Sequence, residues 1–153
     1  MDASKFADVN FVIPLFYLGV AVVCLLIFIP LFIHGMLRRR KFSTLVDGYQ
    51  TYALRSSIRI ELIVAALVAV LTIVFLAMGI TGYFDSRNDL EANIQLKYNP
   101  THLELGPWNG SSATADLTLP DGTVFDDVEV MLQGSGEPFI EKVWYHERDK
   151  RNQ

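Results

Sequence analysis

Charged positions are missing from two long stretches of this chain, and polar positions return in alternation after them. From Val9 to Leu37 no formally charged residue occurs over 29 positions, and His34 is the one basic side chain. A second uncharged run of 23 positions lies between Glu61 and Asp85. Its apolar centre, Leu62 to Ile80, makes about 28 Å of helix at 1.5 Å per residue. A bilayer core is about 30 Å thick, so each run is long enough to cross it. The pattern predicts two transmembrane helices, over residues 11–37 and 61–84. A cleaved signal peptide fits the first run poorly, because the basic residues follow it instead of preceding it. It is expected to be a retained span.

Between the spans, residues 38–60 keep a different rhythm. Phe42, Leu45, Val46, Tyr49, Tyr52 and Ala53 gather within about 120° of a helical wheel, with Asp47, Gln50, Thr51 and Arg55 opposite. This predicts an amphipathic helix over about 43–56, capped by Ser43 and lying on the membrane surface.

After Asp85 the period shortens to two: Ile94-Gln95-Leu96-Lys97-Tyr98, Leu103-Glu104-Leu105, Ala115 to Leu119, Val128-Glu129-Val130, and Phe139 to His146. Alternation predicts half-buried strands. Asn99-Pro100, Gly106-Pro107, Pro120-Asp121-Gly122 and Gly134-Ser135-Gly136 punctuate them as turns. Pro120-Asp121-Gly122 predicts a tight hairpin, and Asp126-Asp127 a bulge. About five short strands over residues 92–146 are expected, within a domain of residues 85–153 that ends in a polar tail. The expected fold class is therefore an α+β membrane protein: two transmembrane helices as a hairpin, then a small antiparallel β-rich extracytoplasmic domain. So few residues without disulfides make a marginal core, which is expected to lean on a partner or on its own membrane base.

Composition changes the picture only once it is divided along the chain. The 51% hydrophobic content belongs largely to the two spans, and the net charge of −4 is uneven. Residues 1–10 carry −1, the linker through Glu61 carries +4, and residues 85–153 carry −7. Cations mark the cytoplasmic flank of a span. The linker is thus expected in the cytoplasm, with residues 1–10 and the C-terminus extracytoplasmic. The expected location is a bacterial plasma (inner) membrane. Arg38, Arg39, Arg40 and Lys41 would face anionic inner-leaflet lipids of the bilayer. A nucleic-acid role is not expected, since position beside a span already explains the basic run.

Within the spans, Pro30 predicts a kink. His34 and Glu61 read as interfacial side chains, and Cys24 as a small apolar filler. Ala65, Ala69, Thr72 and Gly79 fall within about 40° of one direction on the second span. Small residues let membrane helices approach closely, so this is the expected helix-packing face.

Candidate chemistry is sparse. One cysteine forms no intramolecular disulfide. His102 and Glu104 share a strand face, but read as solvated. Asp121, Asp126, Asp127 and Glu129 lack calcium-loop spacing. Trp108 and Trp144 are divided between core and interface, and Asn109-Gly110-Ser111 is a formal glycosylation sequon. No catalytic residue, cofactor or metal ligand is expected. The expected role is a non-catalytic accessory or structural subunit of a larger integral membrane protein complex. The alternative is a membrane-anchored extracytoplasmic ligand-binding or sensing module.

Overall fold

The computed structural model describes residues 5–44, 51–109, 111–134 and 136–152. Among these residues, three helices and four strands follow in the order α1 (Val12–Ser43), α2 (Tyr52–Tyr98), β1 (His102–Trp108), β2 (Ser112–Thr118), β3 (Val124–Gln133), β4 (Glu137–Ile140) and α3 (Glu141–Arg151). The class is α+β. They form two units: Pro14–Ile80, and Thr81–Gln153 together with Met1–Ile13. Helix α2 contributes to both.

In the first unit α1 and α2 are each long and apolar enough to cross a membrane. They run antiparallel, since Tyr17 stacks on Phe75 at one end and Gly35 meets Leu62 at the other. Their large aliphatic and aromatic side chains point mostly outward. Val22, Val23 and Leu26 on α1, and Leu67, Val70 and Ile73 on α2, are all exposed. Burial is confined to one line per helix and recurs at seven residues: Pro14, Ala21 and Gly35 on α1; Ile58, Ala65, Thr72 and Gly79 on α2. A seven-residue repeat is the signature of helices that keep one seam facing each other. The Thr72 hydroxyl donates to the Val68 carbonyl, 2.9 Å away, so it is satisfied within its own helix.

The helix ends have local causes. Asn10 Oδ1 accepts the amides of Val12 and Ile13 at the start of α1. At its end the Ser43 and Thr44 hydroxyls donate back to Arg40 and Lys41 carbonyls. Ser43 thus closes α1, where it was expected to open a new helix. Residues 45–50, the centre of the expected amphipathic helix, lie outside the described residues. Tyr52 to Arg55 form the first turn of α2, capped by Thr51 Oγ1. Pro30 stands inside a continuous α1.

In the second unit α2 continues through Tyr98, so residues 94–98 are helical where alternation predicted a strand. Leu90, Ile94 and Tyr98, spaced four apart, turn inward while Leu96 is exposed. A helical face with one polar residue on each side of Leu96 reads as period two over five positions. Asn99, in the left-handed region at φ 45°, and Pro100 then end the helix. The two residues predicted as a turn are its stop.

The sheet is an antiparallel meander in the order β1-β2-β3-β4. Leu105, Ala113, Ala115, Leu117, Val128, Val130 and Ile140 face the α2 residues in one core, joined by Val143 of α3. The hairpin at Pro120-Asp121-Gly122 forms as predicted. Leu119 and Thr123 pair across it, and Gly122 takes φ 84°. The bulge also falls at Asp126-Asp127. Ala115 opposes Val128 whereas Leu117 opposes Phe125, so β3 spends one more residue than β2. Asp127, at φ 47°, gives its amide to Asp116 Oδ1 at 2.6 Å. The extra residue keeps both Phe125 and Val128 on the core side. The last expected strand, over 139–146, forms only at its start: Phe139 and Ile140 close β4, pairing stops there, and residues 141–151 form α3.

Candidate functional site

Each expected site residue has a defined place. Ala65, Thr72 and Gly79 are buried and Ala69 is half-buried. Their side of α2 is covered by α1 of the same chain. A Cβ on Gly79 would lie 2.6 Å from Leu18 Cγ and 3.1 Å from the Leu18 backbone nitrogen. Reciprocally, a Cβ on Gly35 would lie 2.9 Å from Leu62 Cδ2. On this face the close approach is thus to α1 of the same chain.

The basic cluster divides by function. Arg38 is half-buried and donates from Nη1 to Glu61 Oε2 at 3.1 Å, while His34 Nδ1 meets Glu61 Oε1. His34 and Arg38 lie one turn apart on α1, so one carboxylate of α2 ties both of them down. Glu61 and His34, read separately as interfacial residues, belong to a single clasp. Arg39 lines an open cleft between the helices, with Arg55 and Arg59 of α2. Arg40 and Lys41 are exposed in the last turn of α1.

The second unit holds two polar ties. Asp121 in the β2–β3 turn meets Lys150 Nζ and His146 Nε2 of α3, the latter at 3.0 Å. Lys150 foremost, then His146 and the Thr123 amide, hold the Asp121 carboxyl well below the usual carboxylate range. The Thr123 hydroxyl approaches the same His146 nitrogen at 3.4 Å. A nucleophile–base–acid relay needs the two ring nitrogens engaged separately. Here hydroxyl and carboxylate share Nε2, so the trio fastens α3 to the turn. In the other tie Lys97 bridges Glu137, at 2.8 Å, and the Pro138 carbonyl. It holds the Glu137 carboxyl below its ordinary range. Beside it the Tyr98 hydroxyl accepts the Ile140 amide and donates to the Pro138 carbonyl. Burial pushes the Tyr98 phenol up.

His102 and Glu104 are exposed, and no cluster of three potential metal-binding side chains occurs among the described residues. Asn109 Oδ1 accepts the amides of Ser111 and Ser112 in a local turn.

The N-terminal segment carries a role that its sequence did not announce. Asn93, buried on α2, clasps Ala7 through both peptide groups: Oδ1 accepts its amide and Nδ2 donates to its carbonyl, each at 2.9 Å. The same Nδ2 reaches the Gly136 carbonyl. Ser86, seven residues earlier, donates to the Asn10 carbonyl at 2.9 Å. Phe11 stacks on Trp108 with ring centres 4.4 Å apart and meets the edge of Tyr83. Residues 5–11 are thus a strap on the β unit. The seven-residue series of α2, Ala65-Thr72-Gly79, runs on through Ser86 and Asn93, and that continuation was the available signal.

On α3 the two aromatic residues Trp144 and Tyr145 are 40% and 44% exposed. The Arg148 guanidinium lies 5.0 Å and 4.9 Å from their ring centres. Trp108, by contrast, is half-buried under the strap.

No family model, curated protein or solved structure matches this chain.

Proposed function

We propose that the chain is a non-catalytic accessory subunit of a larger integral membrane protein complex. In this reading α1 and α2 span a bacterial plasma membrane. Their basic linker lies in the cytoplasm, and the β unit lies with both termini on the other side. The cation asymmetry about the spans supports that orientation. The lipid-like exposure of large apolar side chains around the hairpin supports the membrane setting.

One observation carries the partner. With the small-residue seam closed by α1, and the sheet's buried face covered by Leu90, Ile94 and Tyr98, α3 still presents Trp144 and Tyr145 at the surface with the Arg148 guanidinium over both rings. Trp, Tyr and Arg are the residue types that dominate protein–protein binding energy, because large rigid rings and a stacked guanidinium give much contact for little ordering cost. The partner thus docks on α3, and the hairpin holds the domain at the membrane surface.

Purification of the full chain from its own membranes in mild detergent tests this. A larger integral membrane protein should accompany it stoichiometrically, and Trp144→Ala with Tyr145→Ala should release it. A solitary chain, or a companion retained by the double variant, would sink the reading. A small molecule or peptide bound by the solitary chain would favour the sensing module instead.

A further inference from the structure

We propose that the cleft at the basic end of the hairpin is a binding site for one anionic phospholipid. The inference rests on the membrane reading above. The cleft has a volume of about 760 Å³, within the range of pockets that hold small ligands. Its lining changes character along α2. Arg55 and Arg59 stand one turn apart at its outer end, opposite Arg39 of α1, and Leu62, Ile63 and Ala66 continue it toward the apolar centre of the hairpin. Arg55 to Ala66 spans about 16 Å at 1.5 Å per residue, so a phosphate at the arginines leaves an acyl chain beside the aliphatic residues.

Among the described residues the charge is uncommitted. Arg38 is taken up by Glu61, whereas Arg39, Arg55 and Arg59 hold no carboxylate among the described residues. Guanidinium groups suit phosphate because their planar donors can bind two oxygens at once. A free phosphate would leave the aliphatic half of the cleft unused, and a neutral lipid would leave the three cations unmatched. An anionic phospholipid satisfies both ends.

The test uses the full chain in phosphatidylcholine nanodiscs containing a trace of phosphatidylglycerol with a photoactivatable acyl chain. A matched phosphatidylcholine probe serves as comparison, and labelled peptides are read by mass spectrometry. The anionic probe should concentrate its label on Leu62, Ile63 and Ala66. Arg55→Gln with Arg59→Gln should reduce that excess about thirtyfold, at roughly fivefold for each surface cation. Arg40→Gln with Lys41→Gln, an equal change of charge outside the cleft, should preserve it, as should added inorganic phosphate. Even labelling around both helices, equal loss from the two double variants, or displacement by inorganic phosphate would overturn the site while leaving the spans intact. Absence of label from both probes along α1 and α2 would overturn the membrane reading itself.

Discussion

Gly19 and Gly79 lie in the two helices of one hairpin and have opposite consequences. Nothing approaches within 4 Å of a Cβ built on Gly19, whereas one on Gly79 meets both the side chain and the backbone of Leu18. Gly79→Val should therefore lower the stability of the hairpin in detergent by about 1–3 kcal/mol through overpacking. Gly19→Ala should leave it unchanged or raise it by about 0.5–1 kcal/mol, as glycine is costly inside a helix. Unfolding curves of both variants check the contrast; equal effects would mean that the helices do not close at Gly79. At Asn93, substitution by Ala leaves the buried Gly136 carbonyl without its donor, a loss of about 1–3 kcal/mol measurable by denaturant titration. Asp121 gives a pH signature. Its carboxyl is held below its ordinary 3.8, so at low pH the unfolded chain takes up the proton before the folded one does. The tie contributes stability above about pH 4, and that contribution is lost as pH falls toward the depressed value. Asp121→Asn should flatten this acid-side slope in thermal melts; an unchanged slope would show that the tie to α3 carries no weight.

At the scale of elements, the strap makes the β unit discontinuous in sequence. Residues 81–153 expressed alone lack the partners of Asn93, Ser86 and Trp108. They should melt at lower temperature, or without cooperativity, compared with the same segment preceded by residues 5–13 on a flexible linker. Circular dichroism separates the cases, and equal melting would remove the strap from the fold. Much else at this scale was legible. The long uncharged runs gave both apolar helices, because length and absence of charge leave few alternatives. Pro120-Asp121-Gly122 gave its hairpin through the glycine, and Asp126-Asp127 gave its bulge by breaking alternation. The helical stretch 85–98 was hidden because Ile94, Leu96 and Tyr98 imitate a strand; only the spacing of Leu90, Ile94 and Tyr98, which needs the sheet beneath it, separates the two. Helix α3 hid behind Phe139, although Glu141 in its first turn and Arg148, Lys150 and Arg151 in its last match the helix dipole. The candidate site was less legible. Glu61, His34 and Arg38 are 23 to 27 residues apart in pairing, and nothing local couples them.

For the molecule as a whole, one helix changes its work along a single seam. Beside the sheet-facing Leu90, Ile94 and Tyr98, one line of buried positions on α2 passes from Ile58 and Ala65 through Thr72 and Gly79 to Ser86 and Asn93 at intervals of seven. The first four serve helix packing. The last two offer hydroxyl and amide to the N-terminal strap. The shift from apolar to hydrogen-bonding residues is what a helix leaving hydrocarbon for water requires, since close packing suffices inside and polar ties become affordable outside. The proposed docking surface on α3 and the proposed lipid cleft at the basic end both depend on the proposed passage through a bilayer. Cysteine accessibility in intact cells tests it most directly. With Cys24 replaced by Ala, a membrane-impermeant maleimide should label Asn152→Cys from outside and Ser43→Cys only after permeabilisation. Labelling of both positions, or of Ser43→Cys alone, in intact cells would contradict the account.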